Sequence, residues 1–60
     1  MKYIVRDYHM SRDFESHKTT FEYNNAEEAN RIFNTLSDLH IRQINKGIIL
    51  DYQVELSTER

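Results

Sequence analysis

The chain has 60 residues and a formal net charge of −2, with 38% hydrophobic and 30% charged residues, one glycine, no proline and no cysteine. That length holds one domain, residues 1–60, and buries only about 60% of the surface its unfolded form exposes. Without cysteine there are no disulfide staples, thiolate metal ligands or thiol nucleophile; a lone glycine leaves no phosphate-cradling loop.

The patterned apolar content argues against disorder. No apolar run approaches the ~20 residues of a membrane span. The start, Met1 to Asp7, meets an acid too early for a signal peptide. The expectation is a cytoplasmic protein with no membrane contact.

Residues 2–10 are rich in β-branched and aromatic types (Tyr3, Ile4, Val5, Tyr8), and residues 16–23 continue the theme with Thr19, Thr20, Phe21 and Tyr23. Both read as strands. A three-residue loop at Arg12-Asp13-Phe14 sets Tyr3 opposite Tyr23, Val5 opposite Phe21, Asp7 opposite Thr19 and His9 opposite His17. This register gathers the large apolar residues on one face. A slip of one residue would scatter them, so it is the less favoured pairing.

Asn25 caps a helix, with Glu28 three residues on in the capping-box position. Ala26, Ala29, Ile32, Phe33, Leu36 and Leu39 recur at helical spacing, and Glu27–Arg31 and Asp38–Arg42 pair charges across one turn. The helix is expected over 26–40, with an extension toward Ile44. Asn45-Lys46-Gly47 stops it. Ile48, Leu50, Tyr52, Val54 and Leu56 then alternate with Ile49, Asp51, Gln53 and Glu55, which predicts a third strand over 48–56 and a frayed tail.

The resulting fold is α+β, in the order β-β-α-β: a three-stranded sheet of order 2-1-3 with one helix packed on one face. A right-handed crossover makes the second and third strands parallel, with the first between them. The helix is expected over Tyr3, Val5, Phe21, Tyr23, Leu50, Tyr52 and Val54.

One helix covers one side of such a sheet. The other side is expected to show Ile4, Arg6, Tyr8, Met10, Ile49, Asp51 and Gln53, an apolar centre with a charged rim. These seven are the candidate protein-interaction residues, with Tyr8 as anchor.

Other chemistries find less support. A metal site would use His9 and His17 as a cross-strand pair with Asp7, which matches a zinc ligand set in kind. No close histidine motif accompanies them, and His40 reads as a base at the helix's negative end. The histidines therefore read as polar residues at the open end of the sheet. No metal, cofactor or catalytic residue is expected, and zinc is expected to leave the melting temperature unchanged. Hydrolytic chemistry lacks both a nucleophile motif and volume for a pocket. Tyr8 and Arg6 resemble a base-stacking pair on an open sheet, but Glu22, Asp51 and Glu55 flank them and deny phosphates a positive field.

The expected function is a non-enzymatic protein-binding module. The richness in Asn, Ile, Lys and Glu points to a phage- or mobile-element-encoded inhibitor or modulator of a host protein. The alternatives are a nucleic-acid-binding regulator and a homodimeric structural protein.

Overall fold

A computed structural model describes all 60 residues. It contains β1 (Lys2–Ser11), β2 (Ser16–Tyr23), α1 (Ala26–Asn45) and β3 (Ile49–Glu59). The sheet order is β2-β1-β3, and both outer strands run antiparallel to β1. They are therefore parallel to each other across it, as the crossover rule requires. The molecule is a flat slab of 37 × 18 × 10 Å.

The β1–β2 register pairs Tyr3 with Tyr23, Val5 with Phe21, Asp7 with Thr19 and His9 with His17. The hairpin closes through Ser11 N–H to the Glu15 carbonyl (2.9 Å) and Phe14 N–H to the Ser11 carbonyl (3.0 Å). This three-residue loop needs a left-handed residue at its last position. Phe14 fills it at φ 67°, although no glycine or asparagine is there.

The Asn25 side chain caps α1, its Oδ1 accepting from Glu27 N–H (2.7 Å) and Glu28 N–H (3.3 Å). The helix runs five residues beyond His40. At its end, Gly47 N–H bonds to the Ile44 carbonyl and Ile48 N–H to the Gln43 carbonyl. Gly47 makes this possible by taking φ +74°, where a side chain is strained. The tail is not frayed: β3 continues to Glu59, opposite Lys2.

β3 departs from the expected alternation at its start. Met10 pairs with Asp51, but Ser11 pairs with Ile49, so Leu50 is an extra residue in a bulge. Below the bulge, the sides of the strand are exchanged. Ile49, expected on the open face, shares the side of Ser11 and is buried beneath α1; Leu50, expected beneath the helix, is exposed, as is Ile48.

Ile4 is a second correction. It lies on the open side of β1 but is only 4% exposed. The Lys2–Glu22 ion pair (4.0 Å) lies on one side of it. On the other, Arg6 Nη1 donates to Ser57 Oγ at 3.1 Å. Since Ile4 pairs with both Glu22 and Ser57, these long stems close over it.

The hydrophobic core is thin. Ile4, Val5, Ala29 and Ile49 are its buried members, and Asp7 and His40 are the buried polar residues. Along α1 the buried and half-buried stripe runs Ala29, Ile32, Phe33, Leu36, His40, Gln43, while Ala26 and Leu39 are exposed. The helix packs mainly on β3 and β1.

Candidate functional site

Three surfaces merit comparison: the open sheet face, the C-terminal end of α1, and a histidine cluster between α1 and β1.

On the open face, Tyr8 sits opposite Gln53 and Met10 opposite Asp51. Arg6, Tyr8 and Gln53 line a depression of about 480 Å³ together with Lys18, Thr20 and Glu55. Tyr8 and Met10 are half-buried, while Arg6, Asp51 and Gln53 are exposed. Gln53 Nε2 donates to Glu55 Oε1 at 2.6 Å, and Asp51 Oδ1 accepts from Tyr52 N–H at 2.8 Å. Six of the seven residues expected here thus lie on this face, five of them accessible. Ile4 is sealed within it, and Ile49 lies on the opposite side. Lys2, Arg6 and Lys18 share the face with Glu22, Asp51 and Glu55, so its field is mixed.

The end of α1 is more apolar. Leu39, Ile41, Ile44, Ile48 and Leu50 are each between 37% and 51% exposed. The tight turn at Gly47 keeps the last helical turns and the start of β3 at one end of the molecule. The bulge leaves Leu50 exposed at the start of β3.

The histidine cluster is built by alternation and helical pitch. Asp7 and His9 are two residues apart on β1 and share its helix-facing side. His17 and Tyr52 flank His9 as its partners on β2 and β3. From above, α1 delivers His40, one helical turn past Leu36 on the buried stripe. His40 Nε2 lies 2.6 Å from Asp7 Oδ1, and its Nδ1 lies 2.8 Å from Gln43 Oε1. His9 Nδ1 lies 3.4 Å from Asp7 Oδ2. Its direction makes no hydrogen bond there, and this buried nitrogen has no other partner. The His9 ring stacks on His17 at 4.9 Å and 20°, and lies 4.9 Å from His40, which lies 5.6 Å from Tyr52.

Sequence reasoning placed Asp7, His9 and His17 together but missed His40 and Gln43. The signal was present: 29, 33, 36, 40 and 43 continue one helical stripe. Following apolar residues alone led from Leu36 to Leu39 and away from that stripe.

Chemically, a buried carboxylate between two imidazoles can tie a helix to a sheet, hold a proton, or accept a cation. The fold and these surfaces define a small α+β domain of one antiparallel three-stranded sheet backed by one helix. Searches of protein-family models, curated proteins and solved structures find no match to this chain.

Proposed function

We propose that this chain is a small non-enzymatic protein-binding module that meets its partner through the aliphatic surface at the end of α1. The observation that carries this reading is the imbalance of apolar side chains. Ile4, Val5 and Ile49 are the large aliphatics in the core, whereas five lie exposed within residues 39–50. Ile41 and Ile44 flank one side of the buried stripe of α1 and Leu39 the other; so many exposed aliphatic side chains beside so small a core mark a contact region. Burying it against a partner adds the core that a chain of this size lacks. The mixed charge of the open face favours a protein over a nucleic acid as partner, because phosphate contacts need a positive field. A modulator or inhibitor of a larger assembly acts in this way, by occupying a surface.

The open face offers a second contact through Tyr8, whose ring is half-buried over the depression beside Arg6. The two surfaces separate by mutation. Sedimentation at two concentrations detects a second copy, and crosslinked affinity capture detects a different protein. The Ile41→Glu/Ile48→Glu double variant is expected to fold and to lose the complex, while Tyr8→Ala keeps it. Loss with Tyr8→Ala alone moves the contact to the open face. A wild-type chain that stays monomeric and captures nothing overturns the reading.

A further inference from the structure

We propose that Asp7, His9 and His40 form a binding site for one divalent transition-metal ion, with Gln43 orienting the His40 ring. Each of the three residues offers a ligand atom, and these atoms lie within 4.8 Å of one another.

Charge is the first argument. The Asp7 side chain is 7% exposed, and its two neighbours within ion-pair distance are the imidazoles of His9 and His40. A buried carboxylate is costly unless a cation meets it. No lysine or arginine does so here. Either an imidazole takes a second proton or a metal ion supplies the charge.

The geometry around His40 suits either. Its Nδ1 faces Gln43 Oε1 at 2.8 Å and its Nε2 faces Asp7 Oδ1 at 2.6 Å, so the ring sits between two oxygens. A divalent ion bound at Nε2 would take the place of the proton that otherwise bridges it to the carboxylate. A metal-bound histidine commonly donates its other N–H to an oxygen, as His40 does to Gln43. The second ligand nitrogen also stands ready: His9 Nδ1 is buried and unpartnered.

Distances fit an ion with a small adjustment. The 3.4 Å between His9 Nδ1 and Asp7 Oδ2 is close to the edge of a tetrahedron built on bonds of ~2.1 Å. The 2.6 Å between His40 Nε2 and Asp7 Oδ1 is shorter than that edge. The ion enters as the His40 ring withdraws by a fraction of an ångström. Two imidazoles and one carboxylate select zinc or a neighbouring first-row ion over magnesium or calcium, which prefer all-oxygen sites. His17 is exposed and stacked on the His9 ring, outside the ligand set. The ion ties α1 to β1 where the apolar core is thin, and this does not depend on the protein-binding reading.

The test titrates ZnCl2 into tag-free protein, followed by calorimetry and by thermal unfolding, with MgCl2 as control. Zinc is expected to saturate at one ion per chain and to raise the melting temperature, with magnesium inert. His9→Phe keeps a ring against His17 but removes the nitrogen. Circular dichroism checks its fold, and its zinc affinity is expected to fall by more than the ~10- to 100-fold that loss of an orienting partner costs. Gln43→Ala falls within that range, and His17→Ala leaves affinity unchanged. Cobalt(II) in place of zinc is expected to give the intense visible bands of low coordination number, lost in His9→Phe. An unchanged melting temperature with no stoichiometric binding overturns the proposal. So does binding that His17→Ala abolishes and His9→Phe does not.

Discussion

His40 Nε2 and Asp7 Oδ1 lie 2.6 Å apart, which joins the last third of α1 to the central strand across 33 residues of chain. Both side chains are almost fully buried. The contact is polar, yet it occupies a position that an apolar pair takes in a larger core.

Removing one partner strands the other. With a chelator present, Asp7→Ala is expected to cost about 3 kcal/mol, because His40 Nε2 is left buried without its partner. The whole stability of a 60-residue chain is ~3–9 kcal/mol, so this variant sits near its unfolding transition. Urea titration measures the loss. His17→Ala, at an exposed position, changes stability by less than ~0.5 kcal/mol in the same assay.

The hairpin carries strain that a substitution relieves. Phe14 holds φ 67° while 76% exposed, so it gains little packing for a left-handed backbone. That conformation costs a side-chain-bearing residue ~1–2 kcal/mol, part of which glycine returns as unfolded-state entropy. Phe14→Gly is expected to stabilise by ~0.5–1 kcal/mol, read as a higher urea midpoint at unchanged slope.

The two ends of α1 make a matched pair of tests. Asn25→Ala removes the acceptor for Glu27 and Glu28 N–H and is expected to cost ~1 kcal/mol. Gly47→Ala is expected to cost a similar ~1 kcal/mol for a different reason. A Cβ at Gly47 meets nothing within 4 Å, so its cost is conformational alone. Asn in place of Gly47 recovers part of that loss, because asparagine tolerates the left-handed region.

The bulge in β3 predicts opposite sensitivities for adjacent residues. Ile49→Ala opens a cavity beneath α1 and is expected to cost ~2–4 kcal/mol. Leu50→Ala, on the exposed side, is expected to change stability by less than ~0.5 kcal/mol. Regular alternation with no bulge would reverse the order.

The hairpin tip supplies a pH dependence. The Ser11 hydroxyl donates to the Asp13 carboxylate and holds it below the ordinary aspartate range, helped by backbone N–H groups and by His17. A carboxyl more acidic in the folded chain contributes stability above its unfolded value and loses it as pH falls through the folded one. Ser11→Ala is expected to move the Asp13 titration upward, toward the ordinary value. NMR titration of the Asp13 side-chain carbon follows it directly, in the acid range below the titration of a free aspartate.

Much of the fold was legible in the chain because it follows from local pattern. The turn length and the clustering of Tyr3, Val5, Phe21 and Tyr23 settle the hairpin register, since a slip of one residue puts half of them on the other face. Asn25 and Gly47 mark the ends of α1 through backbone groups that need a cap and a left-handed residue. The placement of Asp7, His9 and His17 on one side follows from that same register.

Long-range packing decided the rest. A bulge arises where β3 meets the far end of β1, and it exchanges the sides of Ile49 and its neighbours with no mark in the alternation of β3 itself. Ile4 is buried because Lys2 and Arg6 find partners on two different strands. His40 reaches Asp7 because the rotation of a helix on a sheet is a property of their contact. Period, caps and turn chemistry, all local, set the elements, their order and the hairpin pairing. Which histidines share a carboxylate and which aliphatic residues face outward depends on how α1 and β3 settle over β1, and that packing leaves no local mark in the chain.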